Sequence, residues 1–149
     1  MYHKSVLLNE CIENLNISNS GIYVDATLGY AGHSSEILKR IPNGHLFGFD
    51  QDDFAIKKSD EKLSSISNNY TIIKSNFVNL KSELQKYNID KVDGILLDLG
   101  VSSYQLDEGS RGFSYIKEAK LDMRMDKTQE LTAEKVVNEY SEESLCKIL

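Results

Sequence analysis

The chain has 149 residues, 40% hydrophobic and 27% charged, with 17 basic against 23 acidic side chains and a formal net charge of −6. That length suits one domain or little more, and the composition excludes a disordered, collagen-like or disulfide-stapled chain. The acidic balance argues against a strong, general polyanion-binding surface, while leaving room for a local basic patch.

No stretch reaches 18 apolar residues, and the N-terminal MYHKSVLLNE meets Glu10 too early for a secretory signal. Cys11 and Cys146 stand far apart, without a C-x-x-C pair and without metal-ligand spacing to His3, His33 or His45. The expectation is a cytoplasmic protein in a reducing compartment, with no metal and no membrane partner.

In chain order, Gly21–Ala26 is the first strand candidate, followed by the glycine turn Thr27-Leu28-Gly29-Tyr30-Ala31-Gly32. A helix is predicted over about 32–40, broken by Pro42-Asn43-Gly44. His45–Asp50 is the second strand, and a helix over about 53–66 opens with acidic residues that suit its positive end. Tyr70–Lys74 is the third strand. Asn76 caps a helix whose Phe77, Leu80, Leu84 and Tyr87 share one stripe. Val92–Asp98 is the fourth strand, and its apolar run predicts a central strand covered on both faces.

This βαβαβαβ order predicts an open parallel α/β sheet, Rossmann-like, with few strands for a complete one. After Leu99 the chain turns polar. Helical spacing returns with Ala133, Val136, Val137 and Tyr140, and Ser141 caps a last helix carrying Leu145, Ile148 and Leu149 to the end. A chain that stops inside an amphipathic helix is expected to be part of a longer one. The expected division is 1–106 for the sheet domain and 107–149 for a polar linking segment and the start of a helical insertion.

The strongest chemical signal is DATLGYAGHS with Asp50 at the end of the second strand. Glycine admits a tight turn and a close ligand, the following helix offers unpaired N–H groups, and a strand-end acid accepts from both ribose hydroxyls. The turn lacks the dense G-x-G-x-x-G of a diphosphate site. Asp25 just before it would repel phosphate and could pair with a cation. S-adenosylmethionine, which has no phosphate and carries an amino group and a sulfonium, fits better than a nicotinamide or flavin; a simple glycine turn is the plain alternative. Phe77 either stacks on an adenine or starts the core stripe. Asp98, at the end of the fourth strand, needs a partner after a buried run, and Ser102, Ser103 and Gln105 nearby offer donors and acceptors. His33 either presents its ring or N–H to a cofactor carboxylate or lies at the surface. Arg111 and Arg124 either bind phosphate or pair with Asp107, Glu108, Asp122 and Asp126.

Taken together, HKSVLLNE, DATLGYAGHS, FGFDQD, LLDLGVSSYQLDEGSRGFSY and LDMRMD resemble the MraW-type family, bacterial methyltransferases acting on N4 of a cytidine in the decoding region of small-subunit ribosomal RNA. The likeness runs through nearly the whole chain and departs at Ser5 and Lys120, where the family usually has proline. It implies a class I AdoMet-dependent methyltransferase fold. It also implies that Ala31, Gly32 and His33 contact the methionine end of S-adenosylmethionine, Asp50 the ribose and Phe77 the adenine, with Asp98 and Gln105 completing the pocket. The implied partner is small-subunit rRNA or the assembled subunit, with a dimer possible, and the implied family protein carries a helical substrate-recognition domain after the fourth strand. Where related amino-methyltransferases have an Asp/Asn-Pro-Pro-aromatic loop, this chain has Asp98-Leu99-Gly100-Val101. Asp98 is therefore a candidate for positioning the acceptor amine as well as for binding the cofactor. The rival readings are a nicotinamide-dependent oxidoreductase, a non-catalytic RNA-binding or assembly module, and a methyltransferase for a small molecule or protein.

Overall fold

The computed structural model describes residues 5–148, so His3 and Leu149 lie outside the described residues. The chain divides into two compact units, one ending at Leu99 and the other starting at Gly100. This division falls before the expected boundary after residue 106, because the short helix that follows Ser102 is held by partners further along the chain.

The first unit begins with α1 (Leu8–Asn14), an element absent from the expected order although Leu8, Ile12 and Leu15 stand at helical spacing. It continues through β1 (Ile22–Asp25), α2 (Gly32–Leu38), β2 (His45–Asp50), α3 (Asp53–Leu63) and β3 (Tyr70–Lys74). A 3₁₀ turn (Phe77–Asn79) then leads into α4 (Leu80–Gln85), and β4 (Gly94–Leu96) follows. The four strands lie in the order β3-β2-β1-β4, and every pairing is parallel.

Handedness places the helices. From β1 to β3 the chain steps one way along the sheet, so right-handed crossovers put α2 and α3 on one face; the jump back past β1 puts α4 on the other. Side chains alternate accordingly. Tyr23 and Leu46 join Ile12, Ile37, Leu38 and Leu63 in one core cluster, whereas Val24, Phe47 and Phe49 meet Ile73 and Leu84 in a second. Gly48 faces the first cluster without a side chain, and a Cβ there would stand 2.8 Å from Cδ1 of Leu28. Leu28 belongs to the glycine turn, so the bare stretch of β2 seats that turn on the sheet.

The fourth strand differs from the expectation. It is short, it pairs only with β1 among the described residues, and Ile95 and Leu97 are 44% and 49% exposed. Only Leu96 is buried, so the strand is an edge here rather than a centre covered on both faces. An apolar run records a capacity for burial; which neighbour supplies it is a tertiary matter.

The second unit contains α5 (Ser103–Asp107), a 3₁₀ turn (Gly109–Arg111), α6 (Ala133–Glu139) and α7 (Glu142–Cys146). Its cohesion is polar. Arg111 donates through one terminal nitrogen to the carbonyls of Arg124 (3.0 Å) and Met125 (3.1 Å). Gly112, at φ 72°, lies so close to the backbone of residues 120–122 that a Cβ would stand 2.5 Å from the Lys120 carbonyl. The RGFS and LDMRMD segments thus pack backbone to backbone, at a point where only glycine fits. The predicted stripe of α6 is present but buries none of its residues, and α7 likewise buries none. No described helix is long and apolar enough to cross a membrane.

Phe49 is fully buried between β2 and the α4 face. Phe49→Ala is expected to lower the unfolding free energy by about 3–5 kcal/mol, whereas Val137→Ala, on an exposed face, should change it by no more than about 0.5 kcal/mol. Denaturant midpoints of the two variants measure both.

Candidate cofactor-binding site

In a parallel sheet all C-terminal strand ends share one edge, and the candidate residues of the first unit follow β1, β2, β3 and β4 in turn. The break in strand order beside β1 lies on that edge, where open α/β sheets bind ligands.

The β1–α2 turn is held from three sides. Asp25 is fully buried; one carboxylate oxygen accepts from the Thr27 N–H (3.1 Å) and the other from the Ser34 hydroxyl (2.7 Å). Its oxygens therefore serve the turn and the start of α2, not a cationic ligand, which corrects the expectation for Asp25. Burial pushes its carboxyl above the usual range, and the Ser34 and Thr27 hydrogen bonds oppose that rise. From α3, the buried Ser59 hydroxyl lies 2.6 Å from the Gly29 carbonyl and 2.9 Å from the Ala55 carbonyl. From β2, the Phe49 carbonyl accepts from the Leu28 N–H at 2.9 Å. Gly29 takes a left-handed φ of 50°, and Ala31 does so at 53° without being glycine. The Ala31 methyl is fully buried in the core beside α2, and that packing sustains the strained backbone.

Asp50 ends β2. One of its oxygens accepts from the Gln51 and Asp52 N–H groups (2.7 and 2.9 Å), the other from the Gly29 N–H (2.8 Å). A carboxylate offers about four acceptor positions, and the position left over is on the oxygen bonded to Gly29. That arrangement suits one ribose hydroxyl, where the sequence suggested two. Burial raises the Asp50 carboxyl above the usual range against the pull of those three N–H groups.

Beyond β3, the Asp50 carbonyl accepts from the Ser75 N–H (3.0 Å), and Asn76 caps the 3₁₀ turn by accepting from the Val78 N–H (2.9 Å). Because the turn is 3₁₀, Phe77 falls out of line with Leu84 and is 41% exposed. The alternative in which Phe77 starts the core stripe is corrected: Leu80 and Leu84 pack inward, while Phe77 and Tyr87 are exposed. Beyond β4, the Asp98 N–H donates to the Thr27 hydroxyl (2.7 Å), tying that loop to the turn. The Asp98 side chain is exposed and its carboxylate has no partner among the described residues, so it follows no buried run and needs none.

His33 is buried, which sets aside the surface reading; its Nε2 lies 3.0 Å from the Val6 carbonyl. In the second unit, Ser102 and Gln105 form a reciprocal cap of α5. The Ser102 hydroxyl accepts from the Gln105 N–H (3.2 Å), and the Gln105 side-chain carbonyl accepts from the Ser102 N–H (2.9 Å). The Gln105 amide also donates to Met125 Sδ (3.0 Å). The expectation that Ser102 and Gln105 hold a ligand is corrected to that extent: both are committed to the cap, leaving one amide N–H of Gln105. Arg111 is buried against carbonyls, with Phe113 beneath its guanidinium. Arg124 grips Asp122 with two parallel bonds (2.8 and 2.7 Å) and donates to the carbonyls of Lys127 and Gln129. Both arginines are thus corrected from phosphate binding to internal scaffolding. Arg124 holds the Asp122 carboxyl well below its usual range, at about 2.

Thr27, Ser34 and Ser59 escaped the sequence reading. Small hydroxyl residues at the start of α2 and within α3 were the available signal, and Ser102-x-x-Gln105 is a capping-box pattern. Among the described residues no cluster of metal-binding side chains occurs.

The raised Asp25 carboxyl has a testable sign. A group whose folded value is raised contributes stability that is full below the unfolded carboxylate value and lost as pH rises through the folded value. Asp25→Asn, which retains an acceptor for Thr27 and a partner for Ser34, should gain on the unaltered protein as pH rises through and above the carboxylate range. Asp25→Ala strands two polar groups and should cost about 1–3 kcal/mol. Unfolding curves across pH compare the three.

The profile of the MraW methylase family matches residues 1–149. Curated relatives from Mycoplasmopsis pulmonis and Acetivibrio thermocellus, both named ribosomal RNA small subunit methyltransferase H, are 63% and 62% identical over 147 and 146 residues. These matches cover 98% and 96% of this chain but 49% and 47% of the relatives, so the chain spans about half their length. A structure described as an rRNA methylase from Clostridium thermocellum is 25% identical at a TM-score of 0.52, over 69% of this chain and 57% of that one. NSun6 from Pyrococcus horikoshii, solved with SFG, shares the fold at 20% identity and the same TM-score, over 66% of this chain and 25% of that one. The sheet order, the turn after β1 and the match along all 149 residues agree: the chain belongs to the MraW methylase family and has the Rossmann-like parallel-sheet fold of class I AdoMet-dependent methyltransferases.

Proposed function

We propose that this protein transfers the methyl group of S-adenosylmethionine to the N4 amine of a cytidine in the decoding region of small-subunit ribosomal RNA. The observation that carries the reading is the sheet edge itself. A turn pinned beside Asp25, a partly unused Asp50 oxygen, an exposed Phe77 ring and an exposed Asp98 carboxylate all follow the ends of adjacent strands. Acidic groups at Asp50 and Asp98 with no guanidinium beside them favour a cationic, phosphate-free ligand over a dinucleotide.

S-adenosylmethionine, when bound, supplies an electrophilic methyl carbon. The backbone of Ala31, Gly32 and His33 receives its methionine end, the remaining Asp50 position accepts a ribose hydroxyl, and Phe77 stacks on the adenine. Asp98 either lies beside the cofactor or accepts a hydrogen bond from the cytosine N4–H. In the second role its carboxylate offsets the positive charge that develops on the amine during methylation and accepts the proton the amine then loses. The amine needs such help because conjugation with the ring makes it a weak nucleophile, and the base must leave any helical stack to arrive. The second unit is read as the start of the substrate-recognition region, with the small subunit or its rRNA as partner, in the cytoplasm.

Phe77 is the sharpest probe, because an exposed ring contributes little to folding. Phe77→Ala should weaken S-adenosylmethionine binding by about 1–3 kcal/mol, with an unfolding midpoint close to that of the unaltered protein, and Phe77→Tyr should retain the affinity. Calorimetric titration of the intact protein measures this. Parallel titration with NADH separates the oxidoreductase reading, and methyl incorporation into small-subunit particles separates a non-catalytic RNA-binding module.

A further inference from the structure

Ser5, Val6 and Leu7 precede α1, and Ser5 and Val6 lie against the start of α2. A Cβ on Gly32 would overlap the Ser5 hydroxyl and stand 3.1 Å from Ser5 Cβ. The missing side chain at Gly32 thus lets the Ser5 side chain lie directly over the start of α2, a reason for glycine that is independent of any ligand. One residue on, His33 Nε2 meets the Val6 carbonyl at 3.0 Å. A carbonyl only accepts, so Nε2 carries the proton in this bond. The His33 ring therefore holds the Val6 backbone through Nε2, and that N–H is not free for a ligand carboxylate.

Leu7 turns the chain into α1 with a left-handed φ of 47°, and its carbonyl accepts the first helical bond from the Cys11 N–H (2.8 Å). Beyond that point α1 is anchored by Ile12, in the same core cluster that encloses Ala31. Val6 and Leu7 are 57% and 63% exposed, so burial does not hold them down. What holds them is the fit of Ser5 over Gly32 and the hydrogen bond from His33.

We propose that Ser5–Leu7 is a strap that sets the position of the cofactor turn, with the Ser5 side chain and the Val6 carbonyl as its positioning groups and Gly32 and His33 as the points it grips. The inference rests on the proposed S-adenosylmethionine site. Within it, Gly32 and His33 act toward the cofactor through their backbone, while their side-chain positions serve the strap. Coupling between strap and site is reciprocal: a cofactor that orders the turn tightens the strap, and a strap that is lost loosens the cofactor.

The test uses the intact protein. Hydrogen–deuterium exchange at the backbone amides of residues 6–9, with and without S-adenosylmethionine, should slow by at least about fivefold on binding; binding without any change there overturns the strap. Gly32→Ala should raise the dissociation constant about tenfold, and adding Ser5→Gly to it should restore most of that affinity. A loss that persists in the double variant means that Gly32 makes room for the ligand instead, and overturns the inference. His33→Gln, which keeps an N–H for Val6, should retain the affinity that His33→Ala loses; equal affinity in both overturns it too, and this pair remains informative should Gly32→Ala fail to fold. In activity assays the strap variants should raise KM for S-adenosylmethionine and leave KM for the RNA particle unchanged. If the unaltered protein does not bind S-adenosylmethionine, the proposed function falls and takes this inference with it. Binding without the exchange response removes the strap alone.

Discussion

The buried carboxylate of Asp25 holds both ends of the β1–α2 turn, through the Thr27 N–H on one oxygen and the Ser34 hydroxyl on the other. Most of the first unit is arranged around that constraint. Burying a carboxylate carries a desolvation cost, visible in its raised pKa, which is tolerable only where hydrogen bonds meet it. The cost is offset locally, by hydrogen bonds that belong to the turn and the start of α2. Thr27 extends the hold to the far strand, since its hydroxyl accepts from Asp98 N–H while its own N–H donates to Asp25. One small residue thereby couples the end of β1 to the loop after β4.

The same turn is pressed on from its flanks. Leu28 occupies the space that Gly48 leaves open on β2, Ser59 reaches the Gly29 carbonyl from α3, and Asp50 binds the Gly29 N–H. These contacts come from β2 and α3, both distant from the turn in sequence. Their joint effect is to narrow the conformations open to the backbone at 29–33, which reduces the ordering free energy left to be met on binding. Asp50 illustrates the compromise. One of its acceptor positions builds the turn and two hold the Gln51 and Asp52 N–H groups that follow β2, and what remains for a ligand is a single one.

The second unit works on a different principle. It buries no large hydrophobic residue among those described; its buried side chains are Gln105 and Arg111. Backbone carbonyls, a capping box and the Arg124–Asp122 fork hold it together. The segments most distinctive in sequence, RGFS and LDMRMD, hold each other. Distinctive residues can thus mark a local scaffold as readily as a substrate contact, and the two arginines are on the scaffold side.

Much of the fold was legible in the residues. β2 and β3 lie where alternation and flanking turns put them, the Asn76 and Ser141 caps act as their side chains suggest, and the order of strands and helices dictates a parallel sheet through the handedness of its crossovers. The position of candidate groups at one sheet edge follows from the same logic, because parallel strands bring their ends together whatever their sequence. Other features were decided only in three dimensions. The edge position of β4, the exposure of Phe77, the inward turn of Asp25 and the commitments of Gln105, Arg111 and Arg124 all depend on which groups from elsewhere in the chain come within hydrogen-bonding or van der Waals reach. Sequence periodicity reports what a residue prefers to bury. A carboxylate, an amide or a guanidinium can satisfy itself on a ligand or on a neighbouring carbonyl with equal chemistry, and only the tertiary structure chooses between them.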